Sequence, residues 1–353
     1  MTGVKCTDKS RKMKRARRAR KRLIAAMVLI LLVLCVILVG ILLFQALFRE
    51  EHRAAEYEME HYSQLDVDTP FLSADLCVVS EDISMQDAPD TDTFKAAGFF
   101  DLNQAETLYA RNALKQVYPA STTKVMTALL ALREGNLDDV VTVSANAVDR
   151  EPGESICDLK EGDQLTLEDL LIGLLLQSGN DTAVAIAEHI GGTEEAFVEM
   201  MNQEAARLMA TDTHYVTPHG MHDDDHYTTA YDLYLIFNEA IKQEKFLELI
   251  QMDSYTAHIT HADGTEEEAD WEASNLYAKG EAKLPESVTI IGGKTGTTDK
   301  AGNCLILLSE DEAGNRYVSV VMGADSKDHL YTDMTTLLEG GVAAAGQSSE
   351  NTE

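Results

Sequence analysis

Cysteine is too scarce in this chain to build a disulfide-stabilised fold. The 353 residues include five cysteines, and an odd number cannot all pair within one chain. Cys6 and Cys35 belong to the basic and apolar N-terminal segments described below, and the others are Cys77, Cys157 and Cys304. Cys304, within "NCLILL", is typical of a buried strand residue. A disulfide framework is therefore excluded, while one bridge among the last three cysteines stays open.

Basic residues are scarce after residue 53. Residues 1–53 carry 13 Lys or Arg and 3 Asp or Glu, a net charge of +10, whereas the remainder carries 16 and 57, a net charge of −41. Because nucleic-acid binding needs clusters of Lys and Arg, we do not expect the acidic part of the chain to bind DNA or RNA. The acidity favours solubility but indicates no particular substrate.

One long uncharged run lies near the N-terminus. Residues 23–44, "LIAAMVLILLVLCVILVGILLF", are 22 residues without a charge, which is long enough for a helix to cross a bilayer core. Residues 1–22 hold eleven Lys or Arg and one Asp, which predicts a cytoplasmic N-terminus and an extracellular remainder. A cleaved signal peptide is the alternative, but its apolar region is usually shorter and ends in a small-x-small site. We find no such site in the following "QALFREEHRAAEYE" and favour an uncleaved membrane anchor.

Composition and charge predict five segments. They are a basic cytoplasmic tail (1–22), a transmembrane anchor (23–48), a charged juxtamembrane stalk (49–70), one large folded domain (71–345) and a polar tail (346–353).

The folded domain begins and ends with strand patterns. "ADLCVVS" is a strand candidate and "AAGFFDLNQAETLYAR" a hairpin candidate, and "ESVTIIGGKTG", "NCLILLSED" and "RYVSVVMGA" follow much later. The middle shows helical spacing, as in "TLEDLLIGLLLQSGN", which opens with a capping-box variant. A last helix, "HLYTDMTTLLEGG", precedes the polar tail. Strands at both ends of a helical middle predict an α+β domain whose N- and C-terminal strands share one sheet.

A serine and a lysine lie three residues apart in "YPASTTKVMTALLA", where an apolar helix begins after a proline. Residues i and i+3 lie on one face of a helix, so Ser121 and Lys124 are expected to point the same way. The pair is consistent with a helix cap followed by a surface lysine. That is the usual explanation of such a pair, and the alternative is a nucleophile beside its base.

An S-x-N element could supply further polar groups, and it occurs at residues 144–146 and at residues 178–180. Ser178 and Asn180 fall in a break between two apolar helices, where side chains can project into a cleft. Ser144 follows "VVTV" and is more typical of a local backbone cap. We therefore select Ser178 and Asn180. A K-T-G element follows at residues 294–296, at the end of a strand candidate.

The order S-x-x-K, S-x-N, K-T-G, together with the residues around these elements, resembles the low-molecular-mass penicillin-binding proteins, the serine D-Ala-D-Ala carboxypeptidases. The likeness extends from about residue 95 to 343 and includes "PASTTKVMTALLAL", "LLIGLLLQSGNDTAVAIAEHIGG", "THYVTPHGMHDDDHYTTAYDL" and "GGKTGTT". It implies a penicillin-binding-protein/β-lactamase-like transpeptidase fold, an antiparallel sheet with a helical subdomain, so that residues 71–345 form a serine DD-peptidase domain. Members of the family often have a C-terminal amphipathic anchor, which the N-terminal span would replace here.

The resemblance implies an activity, its partners and four catalytic residues. The enzyme removes the terminal D-alanine from peptidoglycan stem peptides ending in D-Ala-D-Ala through an acyl-serine intermediate, and β-lactams are its covalent inhibitors; no cofactor is needed. Ser121 is the nucleophile and Lys124 takes its proton. Ser178 relays a proton towards the departing D-alanine, and Asn180 orients Lys124 and the substrate amide. The balance between carboxypeptidase and transpeptidase activity stays open.

The K-T-G strand is implied to hold the substrate. Lys294, with the hydroxyls of Thr295 and Thr297 on either side of Gly296, binds the terminal carboxylate. The backbone N–H groups of Ser121 and Thr297 form the oxyanion hole. A lysine is a base only when it is neutral, so Lys124 has to be buried, with Lys294 as a second cation that lowers its pKa further.

Two alternative functions and one possible metal site have to be considered. A membrane-anchored serine β-lactamase would need a glutamate for deacylation, and no E-x-x-L-N element follows Ser178. A catalytically silent wall-binding protein could use the same fold. The cluster "HGMHDDDHYTT" contains His219, His222 and His226, but neighbouring residues cannot easily share one coordination sphere, and we predict no metal. Trp271 and Asn275 are assigned to packing.

Overall fold

The computed structural model describes residues 76–350, with side chains described as far as residue 347. The predicted basic tail, transmembrane anchor and juxtamembrane stalk lie outside the described residues. Among the described residues, no helix is both long enough and apolar enough to cross a membrane.

A five-stranded antiparallel sheet joins the two ends of the domain. Its strand order is β2-β1-β9-β8-β7. The predicted hairpin of β1 and β2 is confirmed, and β1 pairs with β9 over its whole length, for example Ala97 with Val321. Strands from the N- and C-terminal parts therefore share one sheet, as predicted. The strands are β1 (Ala96–Asp101), β2 (Glu106–Arg111), β7 (Thr289–Thr298), β8 (Gly302–Glu310) and β9 (Arg316–Ala324).

A second antiparallel sheet, which the sequence patterns do not predict, has the order β3-β4-β5-β6. Its strands are β3 (Val140–Thr142), β4 (Gln164–Thr166), β5 (Ser254–Thr260) and β6 (Glu266–Glu272). Most of β6, "EEEADWE", is exposed, and Trp271 is its one buried residue. The Trp271 side chain packs near the ring of Tyr255, which confirms its assignment to packing. A strand with so little buried surface carries almost no hydrophobic pattern.

Helices fill the middle of the chain, as predicted. They are α1 (Lys124–Glu134), α2 (Ala145–Val148), α3 (Leu167–Leu175), α4 (Asn180–Gly191), α5 (Glu194–Arg207), α6 (Ala230–Ala240), α7 (Glu244–Ile250) and α8 (Lys327–Glu350). The predicted capping box is present, because Thr166 and Asp169 cap each other's backbone at the start of α3. The first eight residues of α1 are buried, and this helix packs against α3, α4 and α6. The nucleophile candidate therefore lies at the N-terminal end of a central helix.

Two predicted boundaries differ from the structure. No strand forms in the described part of "ADLCVVS", although Cys77 is fully buried there and its backbone N–H bonds the Tyr234 hydroxyl. The last helix does not end at Gly340 and Gly341, as predicted from "HLYTDMTTLLEGG", but extends to Glu350. The alanine-rich stretch that follows, "VAAAGQ", favours a helix and allows it to continue past these two glycines. Cys77, Cys157 and Cys304 are buried free thiols, so none of the three forms a bridge.

Candidate active site

Ser121 lies on a 3-10 helix, Ala120–Thr123, that leads directly into α1. Ala120 has a φ of 49°, a left-handed conformation that is uncommon for alanine. Gly220 packs against this bend, since a Cβ atom there would lie 1.9 Å from the Ala120 carbonyl oxygen. The bend and its glycine support leave Ser121 partly exposed in a cleft, while the next residues are buried.

Lys124 is fully buried and has three polar partners. Its Nζ lies 3.0 Å from Ser121 Oγ, 2.6 Å from Asn180 Oδ1 and 2.9 Å from the His219 carbonyl oxygen. The amide and carbonyl oxygens can only accept hydrogen bonds, whereas the serine hydroxyl can also donate. A neutral amine has two hydrogens and one lone pair. The three partners therefore suit a neutral lysine whose lone pair faces the Ser121 hydroxyl.

The charges around Lys124 favour that neutral form. Burial, and next the Lys294 ammonium, hold the pKa of Lys124 well below its ordinary value of 10.5. Asp181 and Glu154 oppose this shift, but their effect is smaller. The surroundings of Lys124 thus favour the neutral amine that a general base requires.

Ser178 and Lys294 form a second hydroxyl–amine pair. Ser178 follows α3 with a φ of 63°, which turns the chain between the two helices. Lys294 projects from β7 and donates from Nζ to Ser178 Oγ over 2.9 Å and to the Thr295 carbonyl oxygen over 3.1 Å. Burial lowers the pKa of Lys294 to about 7. The structure therefore brings together S-x-N and K-T-G groups that lie 116 residues apart in the chain.

Asn180 contacts Lys124 on one side and Glu154 on the other. It is the first residue of α4, its Oδ1 atom accepts from Lys124, and its Nδ2 donates to Glu154 Oε2 over 2.6 Å. Ser144, the competing S-x-N serine, instead caps α2 by accepting a hydrogen bond from the Ala147 backbone. The choice of residues 178–180 over residues 144–146 thus agrees with the geometry.

The K-T-G strand passes directly beside the nucleophile. A Cβ atom on Gly296 would lie 2.7 Å from the Ser121 nitrogen, so only glycine fits. On either side, Thr295 Oγ1 lies 2.7 Å from Ser274 Oγ, and Thr297 Oγ1 donates to Asn303 Oδ1 over 3.1 Å. The hydroxyls of β7 are therefore positioned along the edge of the cleft.

A cleft of about 160 Å³ opens between these groups. It is lined by Ser121, Ser155, Ser178, Ser274, Leu276, Thr295, Gly296, Thr297, Cys304, Lys327, Leu330 and Tyr331. Four polar residues at or near the site were absent from the sequence-based prediction: Glu154, Ser155, Ser274 and Lys327. They lie on loops and at a helix start without motif spacing, so nothing in the sequence pattern identifies them.

The histidine cluster is divided among different contacts. His226 Nε2 lies 2.8 Å from Thr123 Oγ1, and burial lowers the pKa of His226 to about 4. The His219 Nδ1 atom accepts from the Met221 backbone, and His222 faces the exposed Asp224. Within residues 76–347, no group of three or more His, Cys, Asp or Glu side chains is placed to hold a metal ion.

Comparisons with known proteins point to one family. The family model for D-alanyl-D-alanine carboxypeptidase, peptidase family S11, matches residues 84–326. The chain is 34% identical over 251 residues to the D-alanyl-D-alanine carboxypeptidase DacD of Escherichia coli (strain K12), and 32% identical over 250 residues to DacF of Bacillus subtilis (strain 168). These matches cover 68% and 69% of this chain. They span 61% of the length of each relative.

The fold has solved counterparts as well. The crystal structure of the Streptomyces K15 DD-transpeptidase superimposes with a TM-score of 0.67 at 27% identity, covering 72% of this chain and 99% of that one. The helical and antiparallel architecture expected from the motif order is confirmed by this match.

Proposed function

The chain belongs to the D-alanyl-D-alanine carboxypeptidase family, and from this premise we propose that it removes the terminal D-alanine from peptidoglycan stem peptides ending in D-Ala-D-Ala. One observation carries the proposal above the others. Lys124 is buried, its pKa is held well below the ordinary value by burial and by Lys294, and its amine lies within hydrogen-bond distance of the Ser121 hydroxyl. A serine hydroxyl needs such a base to act as a nucleophile at neutral pH.

Acylation begins at Ser121. Its Oγ attacks the carbonyl carbon of the penultimate D-alanine while its proton passes to the Lys124 amine. As the tetrahedral intermediate collapses, the C–N bond breaks and the departing D-alanine nitrogen receives a proton through the Ser178 hydroxyl, which Lys294 contacts. The products of this step are free D-alanine and an ester of Ser121.

Substrate binding uses the edge of β7. The terminal carboxylate is held by the hydroxyls of Thr295 and Thr297 and by the positive charge of Lys294. The developing oxyanion lies between the backbone N–H groups of Ser121 and Thr297, a contribution usually worth a few kcal/mol per donor. The close approach of Gly296 to the Ser121 nitrogen supports this placement.

The second half-reaction transfers the acyl group to water. Water attacks the ester carbon, the bond from this carbon to the Ser121 oxygen breaks, one proton of the water returns to that oxygen, and the shortened peptide is released. An amine acceptor would give transpeptidation by the same acyl-enzyme, and the structurally similar Streptomyces K15 protein is a DD-transpeptidase. We propose hydrolysis as the main outcome, in line with the family description.

The N-terminal sequence supports a proposal for the location of the enzyme. We propose that residues 23–48 anchor it in the cell membrane, with residues 1–22 in the cytoplasm and the catalytic domain outside. The uncharged run and the eleven preceding Lys or Arg residues support this orientation.

Covalent labelling tests the proposal. The full chain, incubated with a fluorescent penicillin, should retain label on Ser121, located by peptide mass, and should release D-alanine from a diacetylated tripeptide ending in D-Ala-D-Ala. The Ser121→Ala variant should keep its fold and lose both signals. Label that forms and disappears within seconds would favour a β-lactamase, and a folded wild-type chain that takes no label would favour a catalytically silent binding protein.

A further inference from the structure

A glutamate that belongs to none of the three motifs contacts the catalytic asparagine. Glu154 lies on the loop between α2 and β4, and its Oε2 accepts a hydrogen bond from Asn180 Nδ2 over 2.6 Å. Its Oε1 accepts from the Glu151 backbone N–H over 3.1 Å. Both carboxylate oxygens are therefore engaged, and the side chain is half-buried rather than free in solvent.

The loop that carries Glu154 is fixed to the start of α4. The Asn180 backbone N–H donates to the Ser155 carbonyl oxygen over 2.8 Å. The buried Asp181 carboxylate accepts from the Cys157 backbone over 2.9 Å and from the Leu159 backbone over 3.2 Å. These bonds hold the loop at the same helix turn that carries Asn180. The contact between Glu154 and Asn180 is thus built into the fold.

Two contacts together determine how the Asn180 amide is oriented. The Oδ1 atom faces the Lys124 amine and the Nδ2 atom faces the Glu154 carboxylate. In the flipped orientation, the amide N–H groups would face an amine that already donates elsewhere, and the amide oxygen would face a carboxylate that can only accept. If Glu154 were replaced by a residue that cannot accept a hydrogen bond, only the contact with Lys124 would still orient the Asn180 amide.

We propose that Glu154 is a positioning residue for acylation: it fixes the Asn180 amide so that its oxygen holds the Lys124 amine against the Ser121 hydroxyl. This inference rests on the proposed function of the site and adds a residue that the motifs do not contain. Glu154 acts through Asn180 and takes no part in proton transfer. Small errors in the position of a reacting group are costly, since a displacement of about 1 Å can reduce a rate on the order of a hundredfold.

The negative charge of Glu154 acts on the pKa of Lys124, separately from the hydrogen bond to Asn180. The two contributions can therefore be measured apart. The charged and titratable groups that face Lys124 come from several elements: Lys294 on β7, Asp181 on α4, Glu154 and Cys157 on the loop before β4, and His219 and His226 on the loop before α6. Lys294 lowers the pKa of Lys124, whereas Glu154 raises it. Removal of the charge without removal of the acceptor should therefore make Lys124 easier to deprotonate.

Three variants of the full chain test the assignment. Glu154→Ala removes the acceptor and should reduce the rate of acylation by a fluorescent penicillin roughly ten- to a hundredfold, with little change in the dissociation constant of the initial complex. Glu154→Gln keeps an acceptor for Asn180, so it should recover most of that rate, and the acid limb of its pH–rate profile should move to lower pH. Glu151→Gln changes a neighbouring exposed carboxylate and should match the wild type.

A second measurement does not depend on activity. With ε-13C-labelled lysine, the Lys124 resonance should titrate at lower pH in Glu154→Gln than in the wild type, whether or not the chain reacts with penicillin. If the wild type takes no label but the titration shifts as expected, the proposed function fails and the placement of Glu154 stands. Equal acylation rates for Glu154→Ala and the wild type would overturn the positioning role. An acyl-enzyme that accumulates from a D-Ala-D-Ala peptide in Glu154→Gln, but not in the wild type, would contradict the statement that Glu154 takes no part in proton transfer.

Discussion

Replacement of Lys294 by methionine should remove the activity and yet stabilise the protein at neutral and acidic pH. In the folded state the pKa of Lys294 is lowered by burial from 10.5 to about 7. Each pKa unit corresponds to about 1.4 kcal/mol. The charge on Lys294 therefore lowers the free energy of unfolding by about 5 kcal/mol when the pH is well below 7. The side chain is 1% exposed, so solvent screening reduces the figure little. Methionine has nearly the same length and no charge.

The sign of the effect depends on pH. A lysine with a lowered folded pKa imposes no penalty above pH 10.5, and stability is lost as the pH falls from there through about 7. The methionine variant lacks this penalty, but it also lacks the hydrogen bonds to Ser178 and Thr295 and leaves the Ser178 hydroxyl unpaired. We expect these losses to lower the free energy of unfolding by about 3 kcal/mol in total. We therefore expect the variant to be about 2 kcal/mol more stable than the wild type at pH 6 and less stable at pH 9.

Urea unfolding measures this difference directly. Trp271 is the single tryptophan of the chain and is buried in the second sheet, so its fluorescence follows the unfolding of the full chain between pH 6 and pH 9. Lys115→Met, at an exposed lysine, is the control and should change the free energy of unfolding by less than about 0.5 kcal/mol at every pH. A Lys294→Met variant that is less stable at pH 6, or whose difference from the wild type is independent of pH, would refute the reasoning.

Three further variants test other parts of the structure. Gly296→Ala should lower the penicillin acylation rate on the order of a hundredfold, because the added Cβ would lie 2.7 Å from the Ser121 nitrogen. Glu204→Leu should lower the free energy of unfolding by about 3 kcal/mol, since the fully buried Glu204 carboxylate pairs with Arg133 at 2.7 Å. The pKa of His226 is lowered from 6.5 to about 4, so the wild type should lose about 3 kcal/mol more stability than His226→Gln as the pH falls from 6.5 to 4.

Each of these variants has a matched control. Gly346→Ala adds a Cβ where no atom lies within 4 Å, and it should leave the acylation rate unchanged. Glu268→Leu removes a carboxylate that is 73% exposed and His258→Gln an imidazole that is 72% exposed, so neither should shift stability by more than about 0.5 kcal/mol. If a control changes the acylation rate or the free energy of unfolding as much as its test variant does, burial does not explain the effect.

Local sequence determined the elements that carry strong patterns. The apolar run after Lys124 specifies a buried helix, and the alternation in "AAGFFDLNQAETLYAR" specifies a hairpin, because each periodicity fits one backbone geometry. The three motifs could be located because they place fixed residue types at short spacing. Weakly patterned segments were different: β6 is mostly exposed, and its charged sequence gives no sign of pairing with β5.

Tertiary structure alone decided which side chains meet and how they ionise. Lys124 and Asn180 are 56 residues apart in the chain, and Asn180 and Glu154 are 26 apart, so no local spacing encodes either contact. The sequence specified that a lysine follows the serine, but its pKa depends on packing that excludes water and on the approach of Lys294 from β7 of the five-stranded sheet. Burial and long-range charge are properties of the assembled fold, and they lower the pKa of this lysine and favour its neutral form.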